Sequence, residues 1–203
     1  MSTQIQRAAG VPPDHFYLRY GATCDQAGLI SKATEVFERC LQHYPDDHQV
    51  LNYLAYMWAE HGMNLDKAMV YVDRALVYDP RSPAYLDTRG WIHFKNGNYR
   101  AALEDITLAC SLLPNDATIT DHLGDTWRAL GNLNKALAYW KDSYRVDSGN
   151  SVVAEKLQAN GINLGEITPH SSIVSEAQQT PESETPVPAS EAPVPQIETP
   201  TPD

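Results

Sequence analysis

The sequence predicts an all-α protein in which four helical hairpins follow one another as a repeat array. Three observations predict this fold class. Proline junctions recur at Pro45, Pro80 and Pro114, separated by 35 and 34 residues, and Ser148 holds the same place 34 residues further on. A glycine lies between successive junctions, and small residues recur at fixed places within each interval. Self-similarity with a period of roughly 20 to 50 residues is typical of repeat architectures.

Alignment on these junctions gives four units, each predicted to be a helix, a turn and a second helix: 14–47, 48–82, 83–116 and 117–150. The second unit is one residue longer, and the extra residue falls near Met63, in the turn between its two helices. Each first helix is predicted to end at a glycine, which closes a helix in the left-handed conformation: Gly28, Gly62, Gly97 and Gly131. Each second helix runs to the junction, because proline cannot continue a helix.

Small residues hold three recurring places in every unit. They are Gly21, Ala55, Gly90 and Gly124 in the first helices, and Ala33, Ala68, Ala102 and Ala136 followed by Cys40, Ala75, Ala109 and Ser143 in the second helices. Small side chains let paired helices approach closely, while larger residues fill the gaps around them. The alternation therefore predicts interdigitated helix layers.

This pattern resembles the tetratricopeptide repeat, with its 34-residue period, Gly or Ala in the first helix, Ala twice in the second and Pro at the end. The resemblance covers residues 14–150 in four consecutive units. The runs at 51–56, 86–91 and 121–125 are similar to the closing repeats of longer bacterial proteins of this family. The resemblance implies a right-handed superhelical solenoid in which the first helices line a concave groove.

The two ends of the array differ. Residues 151–160 are predicted to form a polar capping helix, in which Val153 and Leu157 pack back on the fourth unit. Residues 1–13 are predicted to be a flexible leader without a comparable cap. An exposed apolar face at the N-terminal end is therefore a candidate site of self-association.

Residues 161–203 differ in composition from the rest of the chain. They contain eight of the 14 prolines, no aromatic residue and no Lys or Arg. Such a segment cannot bury enough apolar surface to offset the entropy lost on ordering, so a disordered tail is predicted. A spacer, a phospho-acceptor region and a proline-rich ligand all fit this composition.

Charge and hydropathy exclude several classes of function. The formal net charge is −11, of which residues 161–203 carry −7 and residues 1–160 only −4. No cluster of Lys and Arg is available to bind nucleic acid, and no apolar run approaches the roughly 20 residues of a membrane span. Residues 1–13 lack the apolar stretch of a secretory signal, which favours a cytoplasmic protein. A signal segment preceding them would place it in the periplasm instead.

No catalytic, metal or cofactor site is predicted. Three cysteines, Cys24, Cys40 and Cys110, form neither a C-x-x-C motif nor a zinc-type cluster and are expected to be reduced. The most suggestive polar group is Asp121, His122 and Asp125 on one predicted helix. Its two carboxylates are four residues apart, and such pairs are usually only solvated.

The resemblance places eight side chains toward the concave groove: Asn52, Tyr56, Asp87, Trp91, Phe94, Asp121, Asp125 and Arg128, with Leu18 and Ala22 beside them in unit one. The family's carboxylate clamp of Lys, Asn and Arg is absent, which argues against an adaptor for chaperone tails. Aromatic residues beside three carboxylates favour a basic, partly apolar ligand. The alternative is that Trp91 and Phe94 are buried between helices and the carboxylates are solvated.

These observations predict a non-catalytic protein-interaction module, an adaptor or assembly factor, that binds a peptide or helix of a partner. Two alternatives remain open. One is a structural protein that forms a homo-oligomer through its N-terminal face, and the other is an accessory subunit of an enzyme complex.

Overall fold

A computed structural model describes residues 11–168 of the chain. Residues 1–10 and 169–203 lie outside this range. Most of the predicted flexible leader and most of the predicted disordered tail therefore fall outside the described residues.

The described residues fold into α-helices without any β-strand, which confirms the predicted all-α class. The first helices of the units are α1 Asp14–Gln26, α3 His48–Glu60, α5 Pro83–Lys95 and α7 Ala117–Ala129. The second helices are α2 Ile30–His43, α4 Leu65–Tyr78, α6 Tyr99–Leu112 and α8 Leu133–Val146. A ninth helix, α9 Ser151–Ala159, and a 3₁₀ turn, Leu164–Glu166, follow.

Each first helix packs against the second helix of its own unit, and successive first helices pack side by side. Each second helix also packs against the first helix of the next unit. Neighbouring hairpins therefore stack into a solenoid, in which α3, α5 and α7 form one continuous layer.

The turns follow the sequence pattern. The turn between α3 and α4 has four residues, whereas the other turns within units have three, so unit two does absorb its extra residue there. In that turn Gly62 and Asn64 adopt left-handed angles, with φ of 62° and 49°. Glycine reaches such angles without steric cost, which explains its recurrence at this place.

Close helix packing explains the glycines within the first helices. A Cβ atom added at Gly21 would lie 2.4 Å from the ring of Phe37, and one added at Gly124 would lie 2.4 Å from Trp140. In both units a large side chain from the middle of the second helix lies directly on the backbone of the first helix. The small residue is therefore a requirement of packing.

The C-terminal end is closed by α9 and the residues after it. Val153 and Leu157 are fully buried against α8, and Ile167 joins the same apolar cluster. Packing thus continues past residue 161, where the composition predicts the tail to begin. The apolar residues Ile162, Leu164 and Ile167 account for this difference, because they contact Trp140 and its neighbours in the cluster.

Candidate partner-binding groove

The groove-lining residues meet on the layer formed by α3, α5 and α7. Tyr56 on α3 lies 6.3 Å from the ring of His122 on α7, measured between ring centroids. Asn52, Tyr56 and Asp87 line one cleft between these helices. Residues that are 31 to 66 positions apart in the sequence therefore lie close together on these helices.

Trp91 lies at the centre of an aromatic stack. Its ring is sandwiched between Phe94, at 4.6 Å and 9°, and His122, at 4.0 Å and 10°. Its indole N–H donates a hydrogen bond to the Glu60 carboxylate on α3. Trp91 is buried and Phe94 is half-buried. The stack therefore ties α3, α5 and α7 together, and little of Trp91 is left for a ligand to touch.

Asp87 and His122 form a buried ion pair between α5 and α7. Nδ1 of His122 lies 3.0 Å from both carboxylate oxygens of Asp87, and both side chains are buried. Burial alone would lower the pKa of His122, but the Asp87 carboxylate, with help from Asp121 and Glu60, raises it above its ordinary value. The structure thus favours a charged imidazolium paired with Asp87.

Asp121 and Asp125 bind a lysine of the capping helix. Nζ of Lys156 on α9 lies 2.7 Å from Asp121 and 2.8 Å from Asp125. The indole N–H of Trp140 donates a further hydrogen bond to Asp125 at 3.0 Å. Burial and the Asp125 charge raise the pKa of Asp121, while Lys156 opposes that rise. These carboxylates are therefore neither solvated nor awaiting a cation, because the chain supplies its own.

The two ion pairs obey one geometric rule. Asp87 and Asp121 are the fifth residues of α5 and α7, and their partners His122 and Lys156 are the sixth residues of the next helices in the layer, α7 and α9. We call this fifth-to-sixth contact a rung. Both rungs join residues 35 positions apart, and α9 thereby occupies the place of a first helix in a fifth unit.

The rung between α3 and α5 lacks its hydrogen bond. Its fifth residue is Asn52, whose Oδ1 is buried and has no hydrogen-bond partner within residues 11–168. Its sixth residue is Thr88, whose hydroxyl donates instead to the carbonyl of Ala84 at 2.9 Å. Within residues 11–168, the Oδ1 of Asn52 and the Nδ1 of His93 are the buried side-chain polar atoms without a hydrogen-bond partner, and the Oδ1 can only accept a hydrogen bond.

The side chain of Asn52 also lines a cleft of about 210 Å³, although its Oδ1 is itself buried. The cleft is lined by Asn52, Tyr56, Ala84, Asp87, Thr88, Leu113, Asp116, Thr118 and Ile119. Burial, together with the charges of Glu60 and Asp87, raises the pKa of Tyr56, so its phenol stays neutral. The cleft thus combines a buried acceptor and two carboxylates with apolar walls.

Not every predicted groove residue joins this surface. Arg128 is exposed on α7 and forms no ion pair within the part of the chain that the structure describes. Leu18 packs against the apolar core of the array. His122, Lys156 and Glu60 were absent from the predicted set, although the 35-residue spacing of Asp–His and Asp–Lys was visible in the sequence.

No metal or catalytic cluster occurs within residues 11–168. No three His, Cys, Asp or Glu side chains converge there on a position that could hold a metal ion. His122 contacts Asp87, whereas Asp121 and Asp125 bind Lys156, so the suggestive Asp–His–Asp sequence group does not form one site. Cys24, Cys40 and Cys110 are free thiols. Among the described helices, none is long and apolar enough to cross a bilayer.

Comparisons with known proteins agree with this fold. The sequence model described as tetratricopeptide repeat matches residues 14–57. No curated protein matches the chain. Among solved structures, TTC0263, a thermophilic TPR protein of Thermus thermophilus, is 20% identical with a TM-score of 0.66, covering 73% of this chain and 84% of its own.

Two further structures are similar at the level of the fold. PilF of Pseudomonas aeruginosa is 21% identical with a TM-score of 0.60, and the match covers 70% of this chain and 64% of PilF. MamA is 18% identical with a TM-score of 0.53, covering 76% of this chain and 85% of MamA.

Fold and surface together define a helical-repeat solenoid without strands in its described part. The tetratricopeptide-repeat model covers residues 14–57, and the solved structures resemble this chain in fold.

Proposed function

We propose that the chain is a non-catalytic protein-interaction module, acting as an adaptor or assembly factor, and that the cleft between α3, α5 and α7 holds a basic, partly apolar segment of its partner. The tetratricopeptide fold supports the general class, because stacked repeats present an extended concave surface for binding. The observation that carries the specific site is the unpartnered, buried Oδ1 of Asn52.

A buried acceptor without a donor costs about 1 to 3 kcal/mol. Buried polar groups in folded proteins are almost always satisfied, so an exception on a concave surface points to a donor from outside. A ligand N–H placed in the cleft would satisfy Asn52 and recover that cost on binding. The free energy that the unbound array loses by leaving this acceptor unsatisfied would then be regained when the ligand binds.

The charges around Asn52 favour a cationic donor. Asp87 and Asp116 both line the cleft, and His122 offsets only one of their two negative charges. A lysine or arginine side chain would bring hydrogen-bond donors and a complementary charge together. The apolar side chains of Leu113 and Ile119 suit the flanking residues of such a segment.

The proposed site is narrower than the predicted groove. Asp121 and Asp125 already hold Lys156, so the fourth unit offers its carboxylates to α9 rather than to a partner. Lys156 itself illustrates the chemistry, because a lysine between two groove carboxylates is what the proposal expects from the ligand at the cleft.

Replacement of Asn52 by Leu should weaken ligand binding while it increases the stability of the fold. The probe is a fluorescein-labelled peptide in which lysine alternates with leucine, and binding is followed by fluorescence anisotropy. We expect Asn52→Leu to weaken binding about fivefold, as the loss of one hydrogen bond of about 1 kcal/mol predicts. The same variant should raise the melting temperature by about 2 to 4 °C, because it removes the unsatisfied acceptor.

Asn98→Leu serves as the matched control, since Asn98 is exposed at the start of α6 and outside the cleft. It should leave peptide binding unchanged. Equal binding by the Asn52→Leu variant and the wild type would refute the proposed cleft, whatever the change in melting temperature.

A further inference from the structure

The outward face of α1 exposes side chains whose counterparts are buried in the other units. Phe16, the third residue of α1, is 49% exposed. The third residues of α3, α5 and α7 are at most 9% exposed: Val50, Tyr85 and Ile119. Tyr20, the seventh residue of α1, is 44% exposed, whereas its counterparts Leu54 and Leu123 are at most 1% exposed and the third counterpart, Arg89, is half-buried.

The preceding unit accounts for this difference. Each of α3, α5 and α7 packs against the second helix of the unit before it, whereas no described helix precedes α1. The tenth residue of α1, Thr23, shows the same effect, because it is exposed while its counterparts are buried: Met57, Ile92 and Thr126. The face formed by Phe16, Tyr20 and Thr23, here called the N-terminal face, is thus shaped to receive a helix.

The N-terminal face borders a cavity of about 420 Å³ lined by Pro13, His15, Phe16, Arg19, Tyr20 and Thr23. His15 lies 3.5 Å from the adjacent Asp14 carboxylate. Arg19 forms no ion pair with any residue in the range 11–168. Among the residues that line this cavity, Arg19 is the one with a permanent charge, and that charge is positive although the chain as a whole is acidic.

Residues 1–9 do not carry the pattern of a covering helix. Four residues separate every second helix from the helix that follows, so such a helix would have to end at Ala9. Aligned with the other second helices, such a helix would have Thr3 at its eighth position. That position holds a large apolar residue in α2, α4, α6 and α8: Phe37, Val72, Ile106 and Trp140. Arg7 would replace the residues at the twelfth place, Leu41, Leu76, Cys110 and Tyr144.

A second copy of the chain is also poorly suited to cover the N-terminal face. A two-fold dimer joins the same patch on both subunits, so it would place Arg19 and its surroundings against themselves. Like charges across an interface oppose association. The charge instead favours a partner that brings a carboxylate.

We infer that the N-terminal face docks an amphipathic α-helix of a partner protein, in the place that a second helix holds in front of α3, α5 and α7. The helix presents apolar residues spaced by three and four positions to Phe16 and Tyr20, and a carboxylate to Arg19. This site is separate from the concave cleft, so the chain would join two partners at once.

Two designed helical peptides test this inference with the full chain. Both carry leucine along one face, and their remaining positions are mainly glutamate in one and lysine in the other. We expect the glutamate peptide to bind, with Phe16→Ser/Tyr20→Ser weakening its binding at least about tenfold. Arg19→Ala should weaken it about threefold, as expected for one exposed ion pair.

Val70→Ser/Val77→Ser, which exchanges two exposed apolar residues of α4, is the matched control and should not change binding of the glutamate peptide. The exchanged aromatic residues are exposed, so the Phe16→Ser/Tyr20→Ser double variant should keep its helical circular dichroism. Absence of binding, or binding that survives the double variant, would overturn the inference. A wild-type dimer in sedimentation that becomes a monomer in the double variant would also overturn it, since a second copy would then cover the face.

Discussion

At the residue scale, the Asp87–His122 pair shows how one first helix is attached to the next. The pair lies between α5 and α7, beneath the ring of Trp91, and both charged groups are shielded from water. A buried pair of this kind is costly to break, because loss of one partner leaves the other as an uncompensated charge. The contact therefore holds units three and four together, and Asp87 also lines the cleft proposed for the ligand.

The raised pKa of His122 makes this fastening dependent on pH. The folded state binds the proton more tightly than the unfolded state, whose histidine titrates near its ordinary value of about 6.5. The contribution to stability is thus complete below that pH and is lost as the pH rises through the folded pKa. The free energy of unfolding from urea titrations should fall accordingly as the pH rises above about 6.5.

Asp87→Asn tests this assignment. Without the carboxylate, burial lowers the pKa of His122, so the fall in stability above about pH 6.5 should disappear. The variant should also be less stable than the wild type at pH 6 by about 3 kcal/mol. Asp66→Asn, which changes an exposed carboxylate on α4, is the control and should keep the wild-type pH dependence. An unchanged profile for Asp87→Asn would assign the effect to another group.

At the scale of elements, α9 acts as a first helix that carries its own ligand-like lysine. Lys156 contacts α7 through Asp121 and Asp125, and it lies 5.7 Å from the ring of Trp140 on α8. The helix thus covers the apolar end of α8 and places one positive charge between the carboxylates of Asp121 and Asp125. An array that ended after α8 would expose both.

Lys156→Met should lower the free energy of unfolding at pH 7 by about 2 to 3 kcal/mol, because it removes two hydrogen bonds to charged groups. The loss should be smaller at pH 5. The pKa of Asp121 is already raised, and loss of the lysine raises it further, so the folded state gains a proton as the pH falls.

Adding Asp121→Asn and Asp125→Asn to Lys156→Met should restore much of the stability, since no buried charge is then unpaired. Lys67→Met, at an exposed site on α4, should have little effect. A loss that is the same at pH 5 and pH 7, and that the asparagine substitutions do not reduce, would contradict the proposed charge coupling.

The sequence was sufficient to predict the elements but not the contacts between them. Period, glycines and junctions predict the helical hairpins, because these features act on the backbone within one unit. The partners of Asp87 and Asp121 could not be assigned in the same way. They depend on how far one first helix is displaced along the next, which pairs a fifth residue with a sixth. The residues predicted to line the groove lie on three neighbouring helices, whereas the carboxylates of Asp87, Asp121 and Asp125 are already paired.

At the scale of the whole molecule, the described array has two unequal ends and one incomplete rung. The C-terminal end is closed by α9, the N-terminal face is exposed, and the Oδ1 of Asn52 on α3 lacks a donor within the described residues. The exposed N-terminal face and the unsatisfied Asn52 lie on different surfaces of the array. We propose that these two features mark where the protein meets other chains.

The most direct test of the central claim is a map of amide chemical shifts during titration of the full chain with the lysine–leucine peptide. The account predicts that the largest changes cluster around Asn52, Tyr56, Thr88 and Ile119 on α3, α5 and α7, while Phe16 and Tyr20 on α1 stay unchanged. Changes confined to the second helices, or to α1, would contradict recognition at the concave cleft.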